Sequence, residues 1–186
     1  MSVKVGNLTF EAALDNPQLI ASPIKDFLEN WDGVTAKEEI LVAEINPKFS
    51  DSLAFCNEYD IPLTQGANCL IIEGQRGTDK KYAACLVPIN TRANINSIVR
   101  KHLDVRRASL APKDLAVNKS AMEYGSITVV GLPFGWQLLI DESLVSIPYL
   151  VIGGGLRKSK LLIPGKFLWE LPKAIIIQGL ATKLSE

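Results

Sequence analysis

Short apolar segments that alternate with glycine and proline dominate the second half of the chain. Four of them, with the sequences SITVVG, QLLIDESL, YLVIGGG and KLLIP, lie between residues 126 and 164. Apolar runs of about four to eight residues that end at turn formers are typical of β-strands. The helical patterns elsewhere follow no regular strand–helix–strand rhythm. This favours a mixed, partly closed sheet with helices outside, an α+β arrangement, over a doubly wound α/β fold.

The first half of the chain is predicted to contain a long β-hairpin. The apolar segments ANCLIIEG and YAACLVPI flank a turn that contains glycine, so residues 67–89 are interpreted as two antiparallel strands. A further strand is predicted over residues 38–45, and Asn46-Pro47 ends it. Short helices are predicted within residues 10–30. Ser50 is the predicted N-cap of a helix that reaches residue 59.

Helical spacing of apolar residues, or a proline at the start of the segment, predicts three further helices. One begins at Thr91, a second spans residues 112–122, and a short one spans 166–171 ahead of a last strand over 174–180. Because 47% of the residues are hydrophobic, the chain has enough apolar surface for one core, and residues 1–186 are predicted to be a single domain. Within it we expect a helical N-terminal extension over about residues 1–36 and a core over about residues 37–182.

The balance of charges excludes several classes of function. Twenty Lys and Arg residues match twenty Asp and Glu residues, so no net field draws the chain onto nucleic acid, and a polyanion must meet a local basic surface. No apolar run approaches the ~18 residues of a membrane span, and the N-terminus carries no apolar signal segment. The three cysteines form no C-x-x-C pair and the chain has one histidine, which argues against a disulfide framework and a metal site. We expect a cytoplasmic protein with reduced thiols, no cofactor and no membrane partner.

Three consecutive glycines, Gly153 to Gly155, interrupt sheet-like sequence, where glycine costs backbone entropy and therefore needs a reason. The sequence LRKSK follows them directly, and a second basic run, RKHLDVRR, spans residues 100–107. Charged runs are often solvated faces, but two of them together with a glycine turn favour a phosphate-bearing ligand. The G-x-G-x-x-G pattern of dinucleotide sites fails at Lys158. The pair Asp141-Glu142 is interpreted either as acid–base chemistry or as an acidic turn that caps a helix.

The order and spacing of these segments resemble a known family. The sequences SAMEYGSITVVGLP, LLIDESL and VIGGGLRKSKLLIPGKFL are similar to the YbaK/prolyl-tRNA-editing family, and AEINPKFSDSLAFCNEYDIPLTQGANCLIIEG with its hairpin fits the first half of that family. The resemblance covers roughly residues 40–180. It implies a mixed β-sheet curled into a barrel-like body with helices around it. It also implies the removal of wrongly attached amino acids from tRNA.

The same resemblance implies a substrate pocket built from a glycine loop, the first hairpin strand and the glycine turn. The implied catalytic groups, which would donate to the ester or place water or ribose, are Asn68, Gly125, Thr128 and Gly154. A second set is implied to contact the substrate: Ser126, Ile127, Val129, Phe134, Asp141, Gly153 and Gly155. A third set is implied to contact tRNA phosphates: Arg100, Lys101, Arg106, Arg107, Arg157 and Lys158.

Three positions depart from the pattern of the family. Val129 replaces the proline of a G-x-x-x-P loop that begins here at Gly125, and Ala121 replaces a glycine. Asn68 replaces a lysine near the start of the first hairpin strand. Asparagine keeps a hydrogen-bond donor at that place but loses the point charge of an ammonium group.

Three functions remain open at this point. The first is a trans-acting deacylase that hydrolyses the ester bond of mischarged tRNA, with the aminoacylated 3′ end of tRNA and an aminoacyl-tRNA synthetase as partners. The second is a family member that binds aminoacyl-tRNA or a synthetase without turnover. The third is a pocket for a small metabolite. Release of the amino acid would identify the first function. Salt-sensitive binding of tRNA without release would identify the second, and no affinity for tRNA at low salt would favour the third.

Overall fold

The structure is a computed structural model that describes residues 2–184. Within these residues, short strands form two five-stranded sheets and a two-stranded ribbon. The strands are β1 Ser2–Val5, β2 Leu8–Ala12, β3 Leu41–Glu44, β4 Ala67–Arg76, β5 Asp79–Pro88, β6 Thr91–Ala93, β7 Arg107–Leu110, β8 Gln137–Asp141, β9 Leu150–Gly153, β10 Ser159–Ile163, β11 Ala174–Ile177 and β12 Ala181–Lys183.

The helices are short and lie outside the sheets. The α-helices are α1 Ser22–Glu29, α2 Ser52–Tyr59, α3 Arg100–His102, α4 Lys113–Ser120 and α5 Glu142–Val145. A π-helical turn, Ile95–Val99, leads directly into α3. The 3₁₀ turns are Ala13–Asp15, Pro17–Leu19, Lys37–Glu39, Pro47–Phe49, Leu63–Gln65 and Gly165–Trp169.

The two large sheets differ in their strand directions and meet along one edge. The first, in the order β1-β2-β3-β10-β9, is antiparallel, whereas the second, in the order β11-β8-β5-β4-β7, contains the parallel pairs β5–β8 and β8–β11. A bridge between Gly66 and Val151 joins the start of β4 to β9. The curled, mixed sheet with helices outside that the sequence predicts is thus confirmed.

The main core lies between the two sheets, and β10 is buried on both of its faces. Leu161 and Ile163 pack with α1 in the main core, whereas Leu162 packs on the other face in a second cluster that includes Phe55 of α2. Burial on both faces explains the continuous apolar run that the sequence shows in this strand. It also places Lys160, two residues before Leu162, on the α2 side of the sheet.

Several predicted elements differ from the structure. The predicted helical extension is wrong for residues 2–12, which form β1 and β2 and extend the first sheet; the alternating burial of β2, with Leu8, Phe10 and Ala12 inward, is the strand signal. The segment SITVVG, residues 126–131, is a loop rather than a strand: residues 126–130 are buried, and positive φ angles occur at Gly125, just before it, and at Gly131, its last residue. Its apolar character reflects a buried loop.

Two predicted helix starts also move. Thr91 begins β6, which pairs with β12, and the helical residues start only at Ile95. The N-cap of α2 is Asp51 rather than Ser50, because the Asp51 carboxylate accepts hydrogen bonds from the backbone N–H groups of Leu53 and Ala54. The hairpin over residues 67–89 is confirmed as β4 and β5.

Candidate functional site

A cavity of about 420 Å³ lies where the edges of the two sheets meet. The first half of β4 forms one wall, and Gly153 of β9 and Lys160 of β10 line the cavity from the other sheet. The turn before α2, the end of β7, Ala116 of α4, Arg157 and the loop that contains Gly125 and Ile127 complete the lining. Segments that are far apart in the sequence therefore converge on one concave site, which is the usual setting of a ligand pocket.

The cavity contains a buried lysine. Lys160 is only 5% exposed, and its Nζ donates a hydrogen bond to the carbonyl oxygen of Ser50 at 2.9 Å. The same Nζ lies 4.9 Å from the centre of the Phe55 ring. Burial lowers the pKa of Lys160 to about 8, while the nearby Cys56 and Asp51 oppose that shift. The ammonium form still predominates at neutral pH.

Asn68 of β4 lines the same cavity. The Ser52 hydroxyl donates a hydrogen bond to the side-chain oxygen of Asn68. This contact orients the amide so that its NH₂ group stays available, since within residues 2–184 no protein acceptor is assigned to it. Ser50 and Ser52 therefore connect Lys160 and Asn68 through one short turn.

Asp51, between these two serines, is the carboxylate of the cavity. It is the one Asp or Glu among the described lining residues. Its Oδ1 caps α2 through Leu53 and Ala54. The second oxygen has no protein donor in the described part of the chain, and it leaves one negative charge at the exposed side of the cavity.

The three glycines are explained by contacts within the protein. A Cβ on Gly153 would collide with the backbone oxygen of Ser126, and one on Gly154 would collide with the Ser159 side chain. Gly155 has φ of +77° and lies against Ala21 of the segment before α1. Its N–H already donates to the Ser126 oxygen at 2.8 Å. Only Gly153 lines the cavity, so the implied roles of Gly154 and Gly155 at the substrate are not supported by their positions.

The glycine loop contributes two of its implied residues to the cavity. Gly125 and Ile127 line it, whereas Ser126, Thr128 and Val129 are buried behind them. The hydroxyls of Ser126 and Thr128 are buried without a hydrogen-bond partner among the described residues. Thr128 is 0% exposed, so it cannot place a water molecule in the cavity without a rearrangement.

Phe134 and Asp141 lie outside the cavity. Phe134 is 83% exposed, and Lys173 Nζ lies 4.1 Å above its ring, so it forms no pocket wall. Asp141 is the N-cap of α5: it accepts from the backbone N–H and the hydroxyl of Ser143, and from the N–H of Ala181 at 3.0 Å. The interpretation of Asp141-Glu142 as a capping turn is confirmed for Asp141.

The predicted phosphate-binding residues form two separate groups. Arg157 is exposed at the rim of the cavity and donates to the Pro47 carbonyl at 3.2 Å, while Lys158 does not line the cavity. Arg100, Arg106 and Arg107 surround a shallow surface depression with Asn96 and Ser109, which we call the arginine surface. Lys101 is exposed beside it. Strand β7 connects the two groups, because it begins at Arg107 and ends at Leu110 on the cavity rim.

The cavity contains neither a reactive thiolate nor a cluster of metal ligands among the described residues. Burial, reinforced by Cys85, strongly raises the pKa of the Cys69 thiol in the cavity wall, so it remains protonated at neutral pH. Among residues 2–184, no cluster of three or more His, Cys, Asp and Glu side chains is placed to hold a metal ion. Over the same range, each helix is too short or too polar to cross a membrane.

Sequence reasoning missed Lys160 and Asp51. Lys160 was one of three cations in LRKSK, and only the strand register distinguishes it from its neighbours: it pairs with Ala43 and Gly153 in the middle of the sheet. The alternation of β10 was hidden by burial on both faces. Asp51 was hidden by the expectation that Ser50 caps α2.

Comparison with known proteins connects this cavity to a family. The sequence model of the aminoacyl-tRNA editing domain matches residues 46–169, which is more than half of the chain. No curated protein matches the chain in sequence.

Solved structures share the fold at low sequence identity. A candidate trans-editing enzyme for prolyl-tRNA synthetase superposes with a TM-score of 0.68 at 16% identity, covering 84% of this chain and 93% of its own. A scaffold protein for computational epitope grafting superposes with a TM-score of 0.69 at 17% identity, covering 85% of this chain and 95% of its own. A hypothetical protein superposes with a TM-score of 0.66 at 19% identity, covering 76% of this chain and 90% of its own.

Proposed function

The chain belongs to the aminoacyl-tRNA editing domain family, and from this we propose that it hydrolyses the ester bond between a wrongly attached amino acid and tRNA. One observation carries the proposal: Asn68, Gly125, Ile127 and Gly153, which come from distant parts of the matched region, line a single cavity. The enzyme would act in trans, on free mischarged tRNA or on tRNA leaving a synthetase, and so in the cytoplasm.

The cavity suits the end of an aminoacylated tRNA. Its volume of about 420 Å³ lies toward the lower end of the range of roughly 300–1,000 Å³ typical of small-molecule sites. The free carboxylate oxygen of Asp51 is placed to bind the α-ammonium group, which every aminoacyl ester carries. The apolar wall formed by Ile71, Ala116 and Ile127 would receive the amino acid side chain.

The polynucleotide would lie across the rim and the adjoining basic surface. Arg157 and Lys48 are exposed at the rim, and the arginine surface begins about 10 Å away along β7. Tyr124 is 53% exposed at the rim and offers a ring on which the terminal base can stack. Contacts of this kind recognise the backbone and any base, so they position the 3′ end without reading its sequence.

The experiment is release of labelled amino acid from a panel of tRNAs charged with correct and incorrect amino acids. We expect release from at least one mischarged tRNA, and we expect Asn68→Ala to reduce it roughly 10- to 100-fold because the amide loses its contact with the substrate. Phe134→Ala is the matched control, since Phe134 lies outside the cavity and should leave the rate unchanged. No release from any charged tRNA would contradict the proposal.

A second function, binding of aminoacyl-tRNA without turnover, is favoured by one observation. The described lining residues offer no histidine and no thiolate as a base for water: the Cys69 thiol is protonated, and the one carboxylate, Asp51, uses one of its oxygens to cap α2. Hydrolysis in such a site depends on positioning and on the hydroxyl of the substrate's own ribose. Salt-sensitive binding of charged tRNA with the ester left intact would identify this second function.

A further inference from the structure

We propose that Lys160 is a catalytic residue of this cavity, whose ammonium group donates a hydrogen bond to the carbonyl oxygen of the scissile ester and stabilises the negative charge that forms there. The inference rests on the proposed function and adds a buried cation to the polar groups that Asn68 and the rim residues offer. It follows from where Lys160 lies, from what it contacts and from what it does not contact.

The position of Lys160 is fixed by the sheet. Strand β10 lies between β3 and β9, and Lys160 pairs with Ala43 on one side and Gly153 on the other. Its side chain lies on the face shared with Leu162, which packs in the cluster around Phe55 of α2. A side chain held by an inner strand and a helix keeps one orientation, which is what electrostatic catalysis requires.

The contacts of Lys160 leave its charge unneutralised. None of the ion pairs found among residues 2–184 includes it. Its protein partners are the Ser50 carbonyl and the face of the Phe55 ring. An ammonium group has three N–H donors, and the Ser50 bond uses one. A buried cation without a carboxylate partner is costly to the fold, so its presence in a cavity wall indicates that a ligand completes its surroundings.

Among the groups around Lys160, Asp51 favours the ammonium form, whereas desolvation and the cations at the rim of the cavity oppose it. Asp51 and Cys56 lie on the α2 side, and Lys48 and Arg157 lie at the rim of the same cavity. Desolvation lowers the pKa of Lys160 to about 8, and Asp51 and Cys56 limit this effect. An ammonium group whose pKa is lowered to this extent is still mostly protonated at pH 7 and is a stronger hydrogen-bond donor than an ordinary lysine.

The reaction balances without any further reagent. The oxygen of a water molecule forms a bond to the carbonyl carbon, and the carbonyl oxygen becomes the oxyanion that Lys160 holds. The bond from this carbon to the ribose oxygen then breaks. One water proton ends on the ribose oxygen, and the other is released as the carboxylic acid product ionises. Lys160 keeps its own proton throughout, so it acts by charge and hydrogen bonding rather than by proton transfer.

The test compares Lys160→Met with the native protein in single-turnover deacylation of the best mischarged tRNA. Methionine fills the same space without the charge. We expect the rate constant to fall roughly 100- to 1,000-fold, as when one oxyanion donor is removed, while the affinity for the charged tRNA changes less than about threefold. In Lys160→Ala, added methylammonium should restore part of the rate, which a merely structural lysine would not allow.

The pH dependence of deacylation shows whether Lys160 acts as a charged ammonium donor or as a neutral amine base. After subtraction of spontaneous hydrolysis, the rate constant of the native protein should fall as the pH rises through about 8, because the oxyanion loses its charged donor. A rate that instead rises through the same pH would overturn the proposal in favour of a lysine base. A folded Lys160→Met variant with the native rate would overturn it as well. If the native protein releases no amino acid, the proposed function falls and the catalytic role falls with it; an active native protein with an equally active variant refutes the role of Lys160 alone.

Discussion

Lys160 and the arginine surface are both positively charged, but Lys160 is buried and the arginine surface is exposed to solvent. Lys160 is buried on an inner strand, in contact with a carbonyl oxygen and an aromatic ring. Arg100, Arg106 and Arg107 are exposed around a shallow depression. A charge in low-dielectric surroundings acts strongly on one nearby atom, whereas exposed charges act weakly, over many geometries and under screening by salt. The buried cation therefore suits the chemical step, and the exposed ones suit the capture of a polyanion.

The two regions are joined by one strand. β7 begins in the arginine surface at Arg107 and ends at Leu110 on the rim of the cavity, about 10 Å further along. A single-stranded 3′ end crosses this distance with a few nucleotides. The comparison therefore predicts that binding and turnover depend on different residues and can be separated by mutation.

The largest effect expected in the exposed region is on affinity. Replacing Arg100, Arg106 and Arg107 together by Gln should weaken tRNA binding roughly 10- to 100-fold at low salt and reduce the slope of log affinity against log salt by about two to three, since up to three phosphate contacts are lost. Binding titrations at several salt concentrations measure both quantities. The rate constant for a short aminoacylated 3′-end oligonucleotide, which does not reach the arginine surface, serves as the control and should stay at the native value. An unchanged salt slope would remove the arginine surface from the binding site.

A smaller effect is expected from the carboxylate in the cavity. Asp51→Asn keeps the N-cap of α2, because asparagine caps as well as aspartate, but it removes the negative charge. We expect KM for the charged tRNA to rise about three- to tenfold through loss of the ion pair with the α-ammonium group, with a nearly constant kcat. The melting temperature verifies that the cap is retained. N-acetylated aminoacyl-tRNA lacks the ammonium charge, so Asp51→Asn should leave its KM unchanged. If the substitution raises KM for this substrate by the same factor, loss of the ion pair is not the cause.

The smallest effect concerns stability and pH. Because burial lowers the pKa of Lys160 to about 8, the folded protein releases this proton before the unfolded chain does. The unfolded chain then binds more protons between about pH 8 and pH 10.5, so the free energy of unfolding rises with pH in this window. Below pH 8 the full cost of burying the charge is present.

Denaturant titrations at several pH values would show this contribution as a difference between two proteins. The free energy of unfolding of the native protein should gain on the order of 1 kcal/mol relative to Lys160→Met across the window, because the variant has no amine to titrate. Parallel curves for the two proteins would mean that Lys160 is charged to the same extent in both states and is better solvated than its burial indicates.

Much of the fold could be predicted because its signals are local. The hairpin over residues 67–89, α1 and the capping turn at Asp141 follow from apolar periodicity and turn chemistry. The errors occur where tertiary structure overrides such signals. The apolar segment 126–131 is a loop held between β9 and the main core, and the strands of residues 2–12 are stabilised by pairing with β3.

The candidate site was predicted less completely, for a related reason. Asn68, Gly125, Ile127 and Gly153 were found through motifs, and the structure brings them to one cavity. The glycine turn was assigned to a ligand, although close contacts with other protein atoms already explain why Gly153, Gly154 and Gly155 carry no Cβ. Whether a lysine in a basic run faces solvent or a cavity depends on strand register and on the helix packed opposite, and neither is encoded within the run itself.

The place of β10 in the first sheet has a consequence for hydrogen exchange. Its amides are bonded to β3 and β9, so they exchange with solvent only when the sheet itself opens, whereas β7 is an edge strand with one side unpaired. Local opening therefore reaches the strand that carries Arg107 long before the strand that carries Lys160. As the temperature rises, we expect the affinity for nucleic acid to fall first, while the Lys160 side chain keeps its position up to global unfolding.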